Sequence, residues 1–236
     1  KQKTWGERER ERKKKMPTAL SKKAHLNKIY PIFAITTTIT TSYLKMTTKP
    51  NRIFFTGVPG SKWSGIAQIL ESHEVFNTSD RTSEREYNHN EYSGHKGAYF
   101  GRGMEFYPDP AKIDEAWSGD EGIKIAKSHD WAYMLDVIKP GFINDWVMLV
   151  YRPDKVSNEW WHKAGGFDIT YPDYSAYKDD NGMAYAIRQQ NNNILKFAYK
   201  HNATWNCFTT EWVKRTFDLD ISVNTVYDDI LVTIIK

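Results

Sequence analysis

From Arg52 onward the chain alternates short apolar runs with longer amphipathic ones. RIFFT (52–56) has the length of a strand, GVPGSKWSG (57–65) reads as a glycine-containing turn, and Ile66, Ile69 and Leu70 then share one helical face. This order predicts the entry to a βαβ unit. Residues 73–120 are polar, aromatic and glycine-punctuated, without a sustained period, and read as a long loop region. Alternation at Ile123 and Ile125 predicts a second strand ending in Lys127-Ser128-His129, and Trp131 to Ile138 reads as a helix stopped by Pro140. DWVMLVY (145–151) is continuously apolar, as expected of a strand covered on both faces. Helical spacing returns from Val156 to Lys163. It does so again from Met183 to Tyr199, where Ile187, Ile194, Leu195 and Ala198 form one stripe. Thr204 to Phe208 reads as a last strand, followed by a threonine-capped helix over Thr210 to Phe217. The alternation predicts an α/β fold: a three-layer, doubly wound parallel sheet whose ligand site lies beyond the carboxyl ends of its strands.

The first 45 residues differ from the rest. They carry 12 Lys or Arg against 3 Glu, whereas residues 46–236 carry 21 against 26 Asp or Glu. Lys1 to Lys15 is almost continuously charged and buries too little to offset its ordering entropy, so disorder is expected. Tyr30 to Leu44 is too short and too rich in threonine to span a membrane well. Residues 1–45 are therefore expected to be a disordered or non-native extension, with Met46 as the native start and 46–236 as one domain. The acidic balance of that domain argues against a broad nucleic-acid surface. Cys207 is the one cysteine, so no intrachain disulfide forms and a reducing, cytoplasmic setting fits. No metal-ligand set is read from the sequence.

Three strand ends carry the chemistry. The turn Gly57-Val-Pro59-Gly60-Ser61-Lys62-Trp63-Ser64 can aim backbone N–H groups and a helix start at an anion, or it is a tight turn with an exposed lysine. It does not match GxxxxGK[ST], so the anion need not be a triphosphate. At the second strand end, His129 and Lys127 have the residue types of a general base and a cation, while a histidine taken alone there is more often structural or at the surface. At the third, Arg152 either clamps a phosphate, with Ser157 adding a hydroxyl, or pairs with Asp154. A magnesium-dependent kinase would end this strand in Asp instead.

In this order the three elements resemble the sulfotransferase family. The resemblance covers about residues 52–208. It also takes in Gly165-Gly-Phe-Asp-Ile-Thr-Tyr-Pro, which is similar to short viral or marine microbial members. It implies a P-loop-like fold and a sulfuryl donor, PAPS (3′-phosphoadenosine-5′-phosphosulfate), with PAP as product. On this carry-over Gly57, Pro59, Gly60, Ser61, Lys62, Trp63 and Ser64 hold the 5′-phosphosulfate. Lys62 is the cation, His129 the base with Lys127 beside it, and Arg152 and Ser157 grip the 3′-phosphate. The acceptor is expected to be a small molecule or carbohydrate. Arg85, Tyr87, His89, His95, Tyr99 and Phe106 form either a lid over it or a solvated loop, and Trp160, Trp161 and Phe167 are expected in core or pocket wall. The family's usual loop, Pro-Lys-Ser-Gly-Thr-Thr, differs here: Gly60 follows the proline and Lys62 comes two residues later. The Arg-to-Ser spacing is shorter than the family's, and its C-terminal Arg-Lys-Gly motif has no match after Asn206.

Overall fold

The computed structural model describes residues 49–78, 109–117, 119, 121–168, 177, 179–224 and 229–236, together with the backbone of two short strands at 86–88 and 96–99. The expectations for residues 1–45 and for the side chains of the lid or loop at 81–107 lie outside the described residues.

The chain is an α/β protein built on a mixed five-stranded sheet of order β4-β1-β5-β7-β6. Its strands are β1 (Arg52–Thr56), β4 (Lys124–Lys127), β5 (Trp146–Tyr151), β6 (Asn206–Cys207) and β7 (Leu231–Ile235). A separate antiparallel pair, β2 (Glu86–Asn88) and β3 (Lys96–Tyr99), lies in the loop region. The helices are α1 (Trp63–Glu71), α2 (Leu135–Gly141), α3 (Asp154–Lys163), α4 (Asp180–Lys200) and α5 (Thr210–Phe217).

The continuous apolar runs of β1 and β5 follow from cover on both faces. Successive side chains point to opposite sides, so Phe54, Val147 and Leu149 enter one core with Trp131, Trp161, Ile187 and Ile194. Ile53, Phe55, Met148 and Val150 enter the other, with Trp63, Ile66 and Leu70 from α1 and Trp212 and Phe217 from α5. The α5 start is capped by Thr209, whose hydroxyl accepts from the Trp212 amide at 3.1 Å.

Two expectations about the sheet are corrected. Only β4-β1-β5 is parallel, with Phe55 opposite Lys127 and Met148. β7 runs antiparallel to β5, and the two-residue β6 runs antiparallel to β7. The run 204–208 is thus a short edge piece, and the true closing strand is LVTII, 24 residues further on by numbering from Cys207 to Leu231. A helix ends before it and the chain simply returns to the free edge of β5, which permits the reversed direction. The helix expected up to Pro140 divides into a 3-10 turn at Asp130–Tyr133 and α2, which carries Pro140 in its last turn.

Candidate functional site

Because β4, β1 and β5 are parallel, their carboxyl ends deliver Ser128-His129, the 57–64 turn and Arg152 to one sheet edge. After Thr56 the backbone folds tightly, with the Ser61 amide donating to the Val58 carbonyl at 3.0 Å. Gly60 adopts φ +75°, and a Cβ there would fall 1.9 Å from the Ser157 carbonyl oxygen. Glycine is therefore needed both for its backbone conformation and for contact with α3. Lys62 follows at φ 60°, ψ 17°, a left-handed conformation that costs a non-glycine residue about 1–2 kcal/mol.

Helix α1 begins at this strained residue with no side-chain cap and no acidic residue in its first turn. The Gly65 amide reaches the Lys62 carbonyl at 3.1 Å, which leaves those of Trp63 and Ser64 without an acceptor within the helix, and the dipole start has no acidic residue in its first turn. Beside it, the buried hydroxyls of Ser61 and Ser64 have no hydrogen-bond partner among the described residues. An oxyanion fits this donor set, because it supplies the acceptors that both the helix start and the hydroxyls lack.

The cations gather at Trp160. The Lys62 ammonium lies 4.0 Å from the indole centroid, the Lys163 ammonium 5.2 Å and the Arg152 guanidinium 5.6 Å. Burial, then the Arg152 and Lys163 charges, push the Lys62 pKa down, while Asp229 pulls it up. Arg152 is buried, donates from Nη1 to the Gly60 carbonyl at 2.9 Å, and from Nε and Nη2 to Asp229 Oδ2 at 2.9 and 2.6 Å. Its partner is therefore Asp229. Asp154 instead accepts from Asn191 Nδ2 at 2.6 Å.

His129 is joined to the turn directly. Its Nδ1 lies 2.6 Å from the Gly57 carbonyl oxygen, and its ring meets Trp63 edge-on at 4.7 Å. Burial pushes its pKa down to about 4, so the imidazole is neutral near pH 7. A carbonyl only accepts, so the proton sits on Nδ1 and Nε2 carries the basic lone pair.

The remaining expected residues are distributed differently. Lys127 shares a sheet face with Phe55, towards α1, and its buried ammonium is 3.2 Å from Glu71 at the end of that helix. Ser157 donates its hydroxyl to the Arg152 carbonyl at 3.3 Å, inside the β5–α3 turn. Trp63 is a wall between Phe55 and His129, and Pro59 is buried in the turn. Trp161 belongs to the core, while Phe167 is partly exposed against it. Trp160, expected in core or pocket wall, faces the three cations, whereas Asp229 was not legible from sequence as part of this edge. A carboxylate 77 positions from Arg152 carries no local signal.

A cavity of about 520 Å³ lined by Thr204, Trp212, Arg215 and Thr233 lies along β6 and β7 and includes none of these groups. The chemistry, rather than cavity size, identifies the 57–64 edge. Among the described residues no helix is long and apolar enough to cross a membrane. No family model, curated protein or solved structure matches this chain.

Proposed function

We propose that the chain is a PAPS-dependent sulfotransferase with a P-loop-like fold, acting on a hydroxyl or amine of a small-molecule or carbohydrate acceptor. One observation carries the reading: a neutral histidine with its tautomer fixed by the Gly57 carbonyl packs against the turn that opens into an uncapped helix start. A base from the end of β4 and an anion cradle from the end of β1 thus meet at one sheet edge. The resemblance in residues 57–64, 127–129 and 152 selects sulfuryl transfer among the reactions such a pair can serve.

When bound, the donor supplies a sulfuryl group already activated by its link to phosphate. Lys62 and the first N–H groups of α1 hold the 5′ end and offset the charge that develops on the departing phosphate oxygen. As the acceptor oxygen bonds to sulfur and the sulfur–phosphate oxygen bond breaks, His129 takes the acceptor proton at Nε2. Trp63 shields the imidazole from water, and Arg152 provides a cation for the 3′-phosphate. Lys127 acts through its ion pair with Glu71, supporting the sheet end that presents His129.

Calorimetric titration with PAP, and separately with ATP and magnesium, tests the reading. Micromolar PAP binding that weakens in Arg152→Ala supports it. His129→Ala is expected to remove most turnover while sparing PAP binding. A response to ATP and magnesium alone would replace it with a kinase, and binding of neither nucleotide would end it.

A further inference from the structure

Arg152 is held in a way that separates two roles for its partners. The guanidinium has five N–H donors, and three of them are used by Gly60 and Asp229. The bond to the Gly60 carbonyl comes from the turn itself and does not depend on Asp229. The Asp229 side chain is 42% exposed although the Arg152 side chain is only 6% exposed. A buried guanidinium with no anion would be costly, and here the compensating charge arrives from the solvent side, on a carboxylate that can return to water. That carboxylate also acts on Lys62, the second cation of the cluster.

We propose that Asp229 is an internal counter-anion standing in the phosphate subsite of Arg152, and that a bound phosphate group displaces it. The proposal rests on the reading of this edge as an anion site and adds the residue that competes for it. One oxygen of Asp229 accepts from both Nε and Nη2, the side-on fork that a phosphate oxygen takes on arginine. Exchange leaves Arg152 oriented by Gly60 and faced by Trp160, so the guanidinium need not move. The ligand-free protein thereby keeps the buried cation neutralised, and apparent anion affinity is reduced by the fraction of molecules in which Asp229 is in place.

The test compares the full chain with its Asp229→Asn variant, titrated with inorganic phosphate, pyrophosphate and PAP. Competition by displacement predicts that every anion binds the variant more tightly by the same factor, roughly tenfold. A factor that grows with ligand charge would mean that Asp229 is a fixed bystander field, and weaker binding would mean that it holds Arg152 in place. Either result overturns displacement. If phosphate and pyrophosphate gain the common factor while PAP binds neither protein, displacement stands and the sulfotransferase reading fails. Equal PAP affinity in both proteins does the reverse. Should the variant not fold, the Asp229 carboxyl carbon resonance of the wild-type chain carries the test. Pyrophosphate saturation is expected to shift it to the position of a solvated carboxylate, and an unchanged resonance overturns the proposal.

Discussion

Replacing His129 with glutamine is expected to flatten the acid side of the protein's stability profile. The native imidazole titrates near 4 because burial disfavours its charged form, with the Gly57 carbonyl opposing this weakly. In the unfolded chain the same group titrates at about 6.5. Between these values the unfolded state binds the extra proton, so the His129 contribution is complete above the unfolded pKa and is lost as pH falls towards the folded one. Integrating the two titrations, the loss between about pH 7 and about pH 5 is about 2 kcal/mol, with the full shift worth about 3 kcal/mol. Asp130, whose pKa is raised by burial, contributes with the opposite sign, but it is present in both proteins and cancels in the comparison. Glutamine keeps a donor for the Gly57 carbonyl and removes only the titration. Urea unfolding at the two pH values measures it: the wild-type midpoint is expected to fall by about 1 M more than that of the variant. Parallel profiles would show that His129 is not buried and neutral, and would remove the basis for assigning Nε2 as the proton acceptor. Binding of a polyanion beside the imidazole favours its protonated form, so saturating PAP is expected to raise the His129 pKa, read from its ring resonances.

Lys62→Gly and Lys62→Ala both lose the ammonium, and both are expected to bind pyrophosphate roughly tenfold more weakly. Glycine alone relieves the left-handed backbone, so its variant should be more stable than the alanine one by about 0.5–1 kcal/mol in thermal melts. Glu71→Ala is expected to cost about 3 kcal/mol by stranding the buried Lys127 ammonium, and Glu71→Ala with Lys127→Met to recover most of it in urea unfolding. Gly60→Ala should cost more than about 3 kcal/mol, because its Cβ would collide with the Ser157 carbonyl and the backbone conformation is unfavourable. Circular dichroism melts check this, and a stable Gly60→Ala protein would mean that the turn does not pack on α3 as described.

What could be read from the chain alone was whatever local order encodes. RIFFT, the glycine turn and the Ile66–Leu70 face specify strand, turn and helix within twenty residues, because burial on both faces of a strand and one face of a helix leaves a periodic mark. His129 and Arg152 were legible as candidates for the same reason, since each follows a strand run. Tertiary structure decided the partners. Lys127 reads as a catalytic neighbour of His129 in sequence, but register with Phe55 turns it towards α1 and Glu71, 56 positions away. Arg152 finds Asp229 rather than the adjacent Asp154, and the antiparallel return of β7 follows from the open edge of β5 rather than from any pattern in LVTII. The left-handed Lys62 is likewise invisible in composition, because its strain is sustained by the turn packed against α3 and by the start of α1. Local periodicity records which faces are buried; it does not record which distant charge or strand edge meets them.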